Sequence, residues 1–424
     1  MTGGRTRSKN LHFAPRKRRR WPLKVAGTVI LVVVLAAAAG AVKAAVTPAP
    51  TLTVRQVLPA RVTLPGARPA PAWPAAGQAA AEVEGLTSLG SSGSGQPIPI
   101  ASLAKIMTAY VVLQDHPISP GQPGFTTTVS PAAVVDYRQR QAAAQSVVQV
   151  SAGEKLDELQ LLQGLLVASG NNYADLLAAS DAGSVTAFVA KMQATAGHLG
   201  MAHTTYTDPS GLAATTVSTA TDQLLLAGQA LSLPVFAQTV ALTSVTLPVA
   251  GKLPNFFKTV GTGGYVGVKT GSDSTAGGCL VFANRQTSGG HTYTILGAVL
   301  GQDPGVQSTS ALIAAALGAA NTMVRSITAS IGVRTVVPAG TTVAVVTNAE
   351  GHRVPATTDA PLTRLGYGGM TVPLSVTLQP LGRSLSAGQT VGQVSAGPGE
   401  STAASTQAAM PSVSYSWKLR HDSY

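Results

Sequence analysis

An uninterrupted apolar segment near the N-terminus constrains this chain more than any other feature. Residues 25–42 carry only apolar or small side chains, apart from Thr28. As an α-helix, these eighteen residues would be about 27 Å long, close to the roughly 30 Å hydrocarbon core of a bilayer. Nine of them are Val, Ile or Leu, which together contribute roughly −4 kcal/mol to membrane insertion. The segment therefore predicts a transmembrane anchor.

The residues before this segment predict its orientation. Residues 1–24 contain nine basic side chains and no acidic one. The positive-inside rule then makes them a cytoplasmic leader, with membrane lipid as a partner and the rest of the chain on the extracytoplasmic side. A cleaved signal peptide is the alternative, with Ala39-Gly40-Ala41 as its candidate cleavage site. The long apolar run and the long leader favour a retained single-pass anchor in the cell membrane.

The charge of the remaining chain excludes a polyanionic partner. Beyond residue 80 the chain has 16 basic and 17 acidic residues, so the net charge of +12 arises from the residues before it. The folded part is thus close to neutral, and we predict no binding to nucleic acid. The single cysteine, Cys279, excludes an internal disulfide and is expected to be a small buried strand residue. The seven histidines are not spaced as metal ligands usually are, so we predict no metal site and no cofactor.

Composition divides the chain after the anchor into three parts. Residues 43–78 are rich in Pro and Ala, which predicts an extended linker that lifts a domain off the membrane. Residues 79–328 alternate between helix and strand patterns and are the candidate catalytic domain. Residues 329–424 contain short strands separated by turns, which predicts a small β-rich C-terminal domain with a mobile segment at 398–410.

The central part is predicted to be an α/β (α+β) domain. Strand patterns occur at its two ends, at 79–88, 242–249, 264–270, 277–284 and 292–300. Helix patterns lie between them and again at 309–328, and Ser151 with Glu154 forms a predicted capping box before a leucine-rich helix. Such an order indicates a sheet flanked by helices, with a helical subdomain and a cleft where the two meet.

A candidate nucleophile and base stand at the start of one predicted helix. Ser102 and Lys105 are three residues apart and open an apolar run, so their side chains share one helix face. A neutral lysine can take the proton of a serine hydroxyl. Its pKa must then fall to roughly 7 to 8, at a cost on the order of 4 kcal/mol. Burial and a second cation would lower it. An N-cap serine followed by a surface lysine is the structural alternative.

Two later motifs complete the pattern. Ser-Gly-Asn stands at 169–171 and Lys-Thr-Gly at 269–271. Each alone is compatible with an ordinary turn or strand end, and a second S-x-N at 8–10 precedes the anchor and cannot share a site. The order S-x-x-K, S-x-N, K-T-G is typical of the active-site-serine penicillin-recognising enzymes.

The sequences around these motifs resemble one family within that group. The stretches SLAKIMTAYVVL, SAGEKLDELQLLQGLLVASGNN, LGMAHTTYTDPSGL and GYVGVKTGSDSTAGGCLVFA resemble D-alanyl-D-alanine carboxypeptidases, the low-molecular-mass penicillin-binding proteins. The resemblance covers residues 79–305. It implies a β-lactamase/transpeptidase-like fold and a serine peptidase that removes the terminal D-alanine from peptidoglycan stem pentapeptides. β-Lactam antibiotics would be covalent inhibitors.

The resemblance also implies residue roles. Ser102 would attack the carbonyl between the terminal D-alanines, Lys105 would accept its proton, and Ser169 would relay a proton to the leaving amine. Asn171 would hold Lys105 and the substrate backbone. The remaining implied residues bind substrate: Lys269 and Thr270 hold the terminal carboxylate, Gly271 permits close approach, and Ser272 shares the oxyanion hole with Ser102 through backbone N–H groups.

Three departures and three alternatives accompany this interpretation. The family commonly has other residues at the positions of Ile100, Asn172 and Ser272. These differences bear on substrate preference and reaction rate. A class A β-lactamase needs a glutamate between the second and third motifs, and this chain has none between Glu158 and Glu350. A non-catalytic module that binds cell wall or senses β-lactams stays open, as does a DD-endopeptidase or transpeptidase.

Overall fold

A computed structural model describes residues 1–2, 21–305 and 308–421 of the chain. The chain forms two compact units. The larger unit comprises Thr63–Thr335 and Thr363–Val372, and the smaller unit comprises Met1–Val62, Val336–Leu362 and Pro373–Tyr424. Most of the predicted basic leader, residues 1–24, lies outside the described residues.

Helices and strands are numbered here in chain order. The α-helices of the described residues are α1 Trp21–Val46, α2 Ala104–Asp115, α3 Pro131–Ala142, α4 Glu158–Leu166, α5 Asn171–Ala182, α6 Val185–His198, α7 Ala220–Leu231, α8 Pro234–Val240, α9 Thr309–Thr328 and α10 Tyr415–Arg420. The strands up to the end of the central sheet are β1 Thr53–Gln56, β2 Arg61–Thr63, β3 Gln78–Val83, β4 Thr87–Ser92, β5 Ile98–Pro99, β6 Thr126–Thr128, β7 Lys155–Asp157, β8 Val217–Ser218, β9 Ser244–Leu247, β10 Gly251–Pro254, β11 Tyr265–Asp273, β12 Gly277–Ser288 and β13 His291–Gln302. The later strands are β14 Gly332–Val337, β15 Thr342–Thr347, β16 Arg353–Thr358, β17 Leu362–Gly366, β18 Thr371–Pro373, β19 Ser375–Leu378, β20 Thr390–Gly397 and β21 Glu400–Thr406.

The larger unit is built on a five-stranded antiparallel sheet in the order β11-β12-β13-β3-β4. Successive side chains of a strand face opposite sides, and β12 follows this alternation closely. Leu280 and Phe282 enter the apolar cluster that contains α9. Cys279 and Val281 enter the cluster formed with the other helices. Both faces of the sheet are therefore buried, and the predicted fold class, a sheet flanked by helices, is confirmed.

A helical subdomain, α2 to α6 with its connecting loops, supplies about half of the cluster that contains Cys279 and Val281. Side-chain caps mark the starts of α3, α4 and α6, and that of α4 is a capping box formed by Asp157 and Gln160. The capping box predicted at Ser151 and Glu154 is wrong, because these residues form a turn before β7. The Glu154 carboxylate does accept from the Ser151 N–H at 3.0 Å. One of the two hydrogen bonds of a capping box is thus present at Ser151, but the helix begins later, at Glu158.

Part of the predicted linker at 43–78 forms regular structure. Thr53–Gln56 forms β1, which pairs with β15 in the smaller unit. The preceding Leu52 is buried in an apolar cluster of that unit. Distant pairing and side-chain burial together offset the entropy that an extended Pro/Ala-rich segment would otherwise retain.

The prediction of a mobile segment at 398–410 is also wrong for its central residues. The smaller unit contains a six-stranded sheet in the order β1-β15-β16-β21-β20-β19, and Glu400–Thr406 is its strand β21. Thr402, Ala404 and Thr406 are buried at alternate positions. Small polar side chains hide the strand pattern in the sequence, because Ser and Thr replace the usual Val and Ile.

The larger unit extends beyond the predicted boundaries of 79–328. Trp73 packs against the cluster around α9, and Tyr367 is buried within it. The backbone N–H of Ala72 also donates to Ser326 Oγ at 2.8 Å. The predicted C-terminal domain, residues 329–424, is accordingly divided between the two units, since Thr363–Val372 belongs to the larger one.

The apolar helix α1 is long enough to cross a membrane. Among the described residues, Leu23–Val46 and Thr309–Thr328 meet the length and composition required of a span, and α7 with α8 would do so as a bent pair. The window in Leu23–Val46 has a mean hydropathy of 2.6 and none of it is buried. By contrast, α9 packs its buried face on the sheet. The predicted segment 25–42 therefore lies within a candidate membrane span.

Candidate active site

Ser102 and Lys105 lie at the junction of a short 3-10 turn and α2. The turn is Ala101–Leu103, and Lys105 belongs to the first turn of the helix. Their side chains meet, with 2.7 Å between Lys105 Nζ and Ser102 Oγ. Ala101, just before the serine, has φ +47°, a conformation that non-glycine residues seldom adopt and that is enriched at functional sites.

The amine of Lys105 is fully buried and has three polar neighbours. Besides Ser102 Oγ, it donates to Asn171 Oδ1 at 2.8 Å and to the Ser210 carbonyl at 3.0 Å. These two oxygens can only accept, and a neutral amine has two N–H groups and one lone pair. When the amine is neutral, both N–H groups are used by these oxygens, and the lone pair is left for the hydroxyl proton of Ser102.

The surroundings of Lys105 favour the neutral form of its amine. Burial lowers the pKa of Lys105 well below its ordinary value, and the nearby positive charge of Lys269 lowers it further. Asp208 and Asp175 oppose this shift but do not cancel it. Both causes act in the direction that a lysine base requires.

Ser169 and Asn171 stand where α4 passes into α5. Ser169 is buried with φ +57°, and Asn171 is the first residue of α5. The backbone N–H of Asn171 donates to the Ser146 carbonyl at 2.8 Å. Its side-chain Nδ2 donates to Gln145 Oε1 at 3.2 Å. The structure thus brings the second motif to the first, with the Asn171 oxygen directed at Lys105.

The third motif lies on β11, an edge strand of the central sheet. Lys269 is buried, and its Nζ donates to the Thr270 carbonyl at 2.9 Å. Burial lowers the pKa of Lys269 to about 7. A Cβ on Gly271 would lie 2.9 Å from the Ser102 nitrogen and 3.0 Å from the Ile100 oxygen. Only glycine therefore lets β11 approach the turn that carries Ser102 so closely.

The three motifs share one cavity of about 240 Å³. Its wall includes six of the predicted site residues: Ser102, Ser169, Asn171, Thr270, Gly271 and Ser272. The two lysines, Lys105 and Lys269, are buried behind this wall. The cavity can admit a peptide end to the serine hydroxyl, while the basic groups stay away from bulk water.

The sequence motifs did not predict two groups near Lys105. One is the Ser210 carbonyl, which accepts from Lys105, and the other is the Asp208 carboxylate, which fixes the Ser210 backbone. Asp208 accepts from the backbone N–H groups of Ser210 at 3.1 Å and Leu212 at 2.9 Å, and from Thr216 Oγ1 at 2.6 Å. An Asp-Pro-Ser-Gly run is a turn signal that could have drawn attention to Asp208. No residue pattern identifies a backbone carbonyl as a lysine partner.

Two of the three departures from family residues are structural. Ile100 is fully buried beside the turn that carries Ser102. The side chain of Asn172 accepts from the Val148 N–H at 3.0 Å and donates to its carbonyl at 2.8 Å. Only Ser272 lines the cavity. Asn172 therefore holds the neighbouring loop against α5 and takes no direct part in the site.

Comparison with known proteins agrees with this geometry. The family model described as D-alanyl-D-alanine carboxypeptidase matches residues 86–301, just over half of the 424 residues. Over 186 residues, the chain is 34% identical to a D-alanyl-D-alanine carboxypeptidase of Mycobacterium tuberculosis, covering 43% of this chain and 60% of that relative. Over 192 residues, it is 31% identical to a D-alanyl-D-alanine endopeptidase of Pseudomonas aeruginosa, covering 43% and 58%. The chain thus spans only 58% to 60% of the length of these curated relatives.

A solved structure extends the comparison to the fold. The crystal structure of the Streptomyces K15 DD-transpeptidase is 28% identical in sequence, with a TM-score of 0.50. The match covers 63% of this chain and all of that one. The family model spans all three motifs of the cavity. The chain therefore belongs to the D-alanyl-D-alanine carboxypeptidase family.

Proposed function

We propose that the protein is a membrane-anchored serine D-Ala-D-Ala carboxypeptidase that removes the terminal D-alanine from peptidoglycan stem pentapeptides. One observation carries the proposal: Ser102 Oγ lies 2.7 Å from a buried amine whose N–H groups are directed to two carbonyl oxygens. Such an amine can accept the serine proton while the oxygen attacks.

Acylation then proceeds in two steps. Ser102 Oγ bonds to the carbonyl carbon between the two terminal D-alanines, and its proton moves to Lys105 Nζ. The backbone N–H groups of Ser102 and Ser272 stabilise the resulting oxyanion. When the C–N bond breaks, D-alanine leaves as an amine that takes, through Ser169, the proton that Lys105 accepted, and Lys105 is neutral again. Water then hydrolyses the ester and restores the Ser102 hydroxyl.

The substrate's terminal carboxylate is the feature that a carboxypeptidase must recognise. Lys269 and Thr270 are the candidates for this contact, because both belong to the motif on β11 and Thr270 lines the cavity. The Lys269 amine must be protonated to attract a carboxylate. Its pKa of about 7 leaves it partly charged at neutral pH, and a bound carboxylate would favour the charged form.

β-Lactams are expected to acylate Ser102 and to remain attached. The strained amide of a β-lactam presents a carbonyl to the same nucleophile. Release requires an activated water, and the glutamate that activates it in class A β-lactamases has no counterpart between Glu158 and Glu350 in this sequence. A long-lived penicilloyl-Ser102 ester follows.

The membrane part of the proposal rests on α1. A span at Leu23–Val46 preceded by eight basic residues would hold the leader in the cytoplasm and the larger unit on the extracytoplasmic side. The substrate, a component of the cell wall, is found on that side.

The decisive experiment measures D-alanine release from a pentapeptide ending in D-Ala-D-Ala. We expect release by the wild type and none above background by Ser102→Ala, with a loss of up to about 10⁶-fold. Release that persists in Ser102→Ala would contradict the assignment of the nucleophile. No release by a wild type that still binds penicillin would support a binding or sensing module instead.

A second candidate activity is favoured by two of the comparisons. The relative in Pseudomonas aeruginosa is named an endopeptidase, and the Streptomyces structure is a DD-transpeptidase. All three activities share the acyl-enzyme and differ in donor or acceptor. Cleavage of a cross-linked peptide dimer faster than of the pentapeptide would favour the endopeptidase. Transfer to an added amine acceptor in place of hydrolysis would favour the transpeptidase.

A further inference from the structure

A chain of hydrogen bonds leads from α3 to the amine of Lys105. Arg140 Nη1 donates to Gln145 Oε1 at 3.3 Å, and the same oxygen accepts from Asn171 Nδ2 at 3.2 Å. Asn171 Oδ1 in turn accepts from Lys105 Nζ at 2.8 Å. Four side chains from α3, the following loop, α5 and α2 are thereby connected in one series.

Two carboxylates hold the outer end of this series. The Nε group of Arg140 lies 2.9 Å and 2.7 Å from the two oxygens of Asp136, one helical turn earlier. Its Nη2 group contacts the Asp175 carboxylate on α5. The Arg140 side chain is only 19% exposed, and partners on two helices fix the orientation of its guanidinium. Nη1 is left to point at Gln145.

The series has a direction because arginine can only donate hydrogen bonds. Gln145 must therefore turn its oxygen, not its nitrogen, towards Arg140. The same Gln145 oxygen faces Asn171 and can only accept, so Asn171 must donate to it from Nδ2. The Asn171 amide therefore directs its Oδ1 towards Lys105. An amide oxygen and nitrogen have nearly the same shape, so packing alone would not make this choice.

The orientation of Asn171 decides what the Lys105 lone pair can do. When Oδ1 faces the lysine, a neutral amine donates one N–H to Oδ1 and the other to the Ser210 carbonyl. Its lone pair then faces Ser102. If the Asn171 amide were reversed, Nδ2 would donate to that lone pair. The amine would then compete poorly for the proton of Ser102.

We propose that Arg140 and Gln145 are positioning residues that fix the orientation of the Asn171 amide and thereby keep Lys105 available as proton acceptor for Ser102. The inference rests on the proposed function, since it concerns the acylation step. The loop itself is held by other contacts, the Asn171 N–H to the Ser146 carbonyl and the Asn172 side chain to Val148. Loss of Arg140 therefore removes the group that sets the donor and acceptor direction of the Gln145 and Asn171 amides, while the loop stays attached.

The test compares Arg140→Met, Gln145→Leu and the double variant. Each single variant should acylate with benzylpenicillin about tenfold or more slowly, a loss typical of one hydrogen bond to a buried polar group. KM for the pentapeptide should change little while kcat falls. The charge of Arg140 also lowers the pKa of Lys105 directly, so the rates are compared on the plateau above the acid limb. There the double variant should be no slower than the slower single one, because both residues act through Asn171. Arg138→Met, an exposed arginine on the same helix, is the matched control and should keep the wild-type rate.

A conservative variant separates the orientation of the amide from general damage. Gln145→Glu keeps an oxygen for both Arg140 and Asn171, so the plateau rate of acylation should return. The added negative charge favours the protonated form of Lys105. The acid limb of the pH profile should therefore move to higher pH. Melting temperatures report whether each variant is folded; should Arg140→Met unfold, the two Gln145 variants carry the comparison.

Two results would overturn the inference. The first is a wild-type acylation rate in folded Arg140→Met and Gln145→Leu. The second is multiplication of their separate losses in the double variant, which would mean that the residues act independently. Either result in an enzyme whose wild type releases D-alanine leaves the proposed function intact. A wild type without acylation or release would refute the proposed function itself.

Discussion

At the scale of single residues, a lysine can serve as a base only while its amine is uncharged. Lys105 and Lys269 are both buried, and each lies in surroundings that disfavour its charge. They would have opposite tasks in the proposed reaction, since Lys105 must be neutral and Lys269 must be charged. Their surroundings separate them, because burial and the charge of Lys269 both lower the pKa of Lys105, whereas burial alone lowers that of Lys269.

The charge of Lys269 predicts how activity depends on pH. Its pKa of about 7 means that the amine is charged below this pH and neutral above it. We expect kcat/KM for the pentapeptide to fall as pH rises from 7 to 9, since the free enzyme then loses its carboxylate-binding charge. In Lys269→Arg the side chain stays charged, so this fall should disappear even if the overall rate is lower. A wild-type profile without any decline above pH 7 would contradict the role of Lys269.

Gly271 predicts a steric effect at the nucleophile. A Cβ at this position would approach backbone atoms on both sides of Ala101, and backbone cannot move aside as a flexible side chain can. Gly271→Ala should destabilise the fold by about 1 to 3 kcal/mol and slow acylation about tenfold or more. Gly318→Ala is the control, because nothing lies within 4 Å of its Cβ and alanine favours a helix. Equal rates for the two variants would show that β11 does not need the close approach.

At the scale of elements, α4 begins with a carboxylate that the site does not use. Glu158 is fully buried, and its carboxylate has no side-chain hydrogen-bond partner among the described residues. Burial raises the pKa of Glu158 to about 7; a backbone hydrogen bond with Phe125 opposes this shift, and the negative charges of Asp157 and Asp181 add to it. Because this helix leads directly to Ser169, its stability bears on the geometry of the second motif.

Glu158 predicts a pH dependence of stability. Its pKa is higher in the folded protein than in the unfolded chain, so the folded state binds the extra proton between about pH 4.5 and 7. Stability should therefore decline as pH rises through this range, by on the order of 3 kcal/mol from this group. Urea unfolding should show Glu158→Gln to be more stable than wild type at pH 8, with a flatter profile. The exposed Glu84→Gln should change the slope much less, because the charge of Glu84 contributes less than burial to the raised pKa of its neighbour Glu82. A wild-type slope in Glu158→Gln would refute the assignment.

The elements also show how far the sequence could go. The helix at 309–328 and the strands around the third motif were predictable because their apolar patterns are long and regular. Strand β1 was not, since its partner β15 lies about 290 residues away along the chain and its own side chains are largely exposed. Strand β21 was missed because its buried positions are threonine and alanine.

The same distinction holds within the site. The S-x-x-K, S-x-N and K-T-G motifs predicted residues that the fold brings to one cavity, although they are up to 170 positions apart. Gln145 and Arg140 could not be found in this way, because Gln145 contacts both Arg140 and Asn171 only through the path of a loop. The Ser210 carbonyl carries no side-chain signal. Spacing identifies groups that react, while groups that orient them become visible only in three dimensions.

At the scale of the whole molecule, the anchor and the catalytic unit should be separable in function. Deletion of residues 1–46 removes α1 and leaves the larger unit, Thr63–Thr335 with Thr363–Val372, complete. We expect the full chain to sediment with membranes and to need detergent for release, since α1 is apolar on all sides. The shortened protein should be soluble and bind penicillin at the wild-type rate. Release of the full chain by high salt or alkaline carbonate would contradict a transmembrane anchor.

The central claim is that a neutral Lys105 takes the proton of Ser102, and the pH dependence of Ser102 acylation tests it most directly. Intact-mass measurement of the penicilloyl adduct over time, from pH 5 to 10, gives the rate at each pH. With the Lys105 pKa held well below its ordinary value of 10.5, the rate should reach its plateau well before pH 10. A rate that still rises about tenfold per pH unit up to pH 10 would mean that Lys105 stays charged, and would contradict the account.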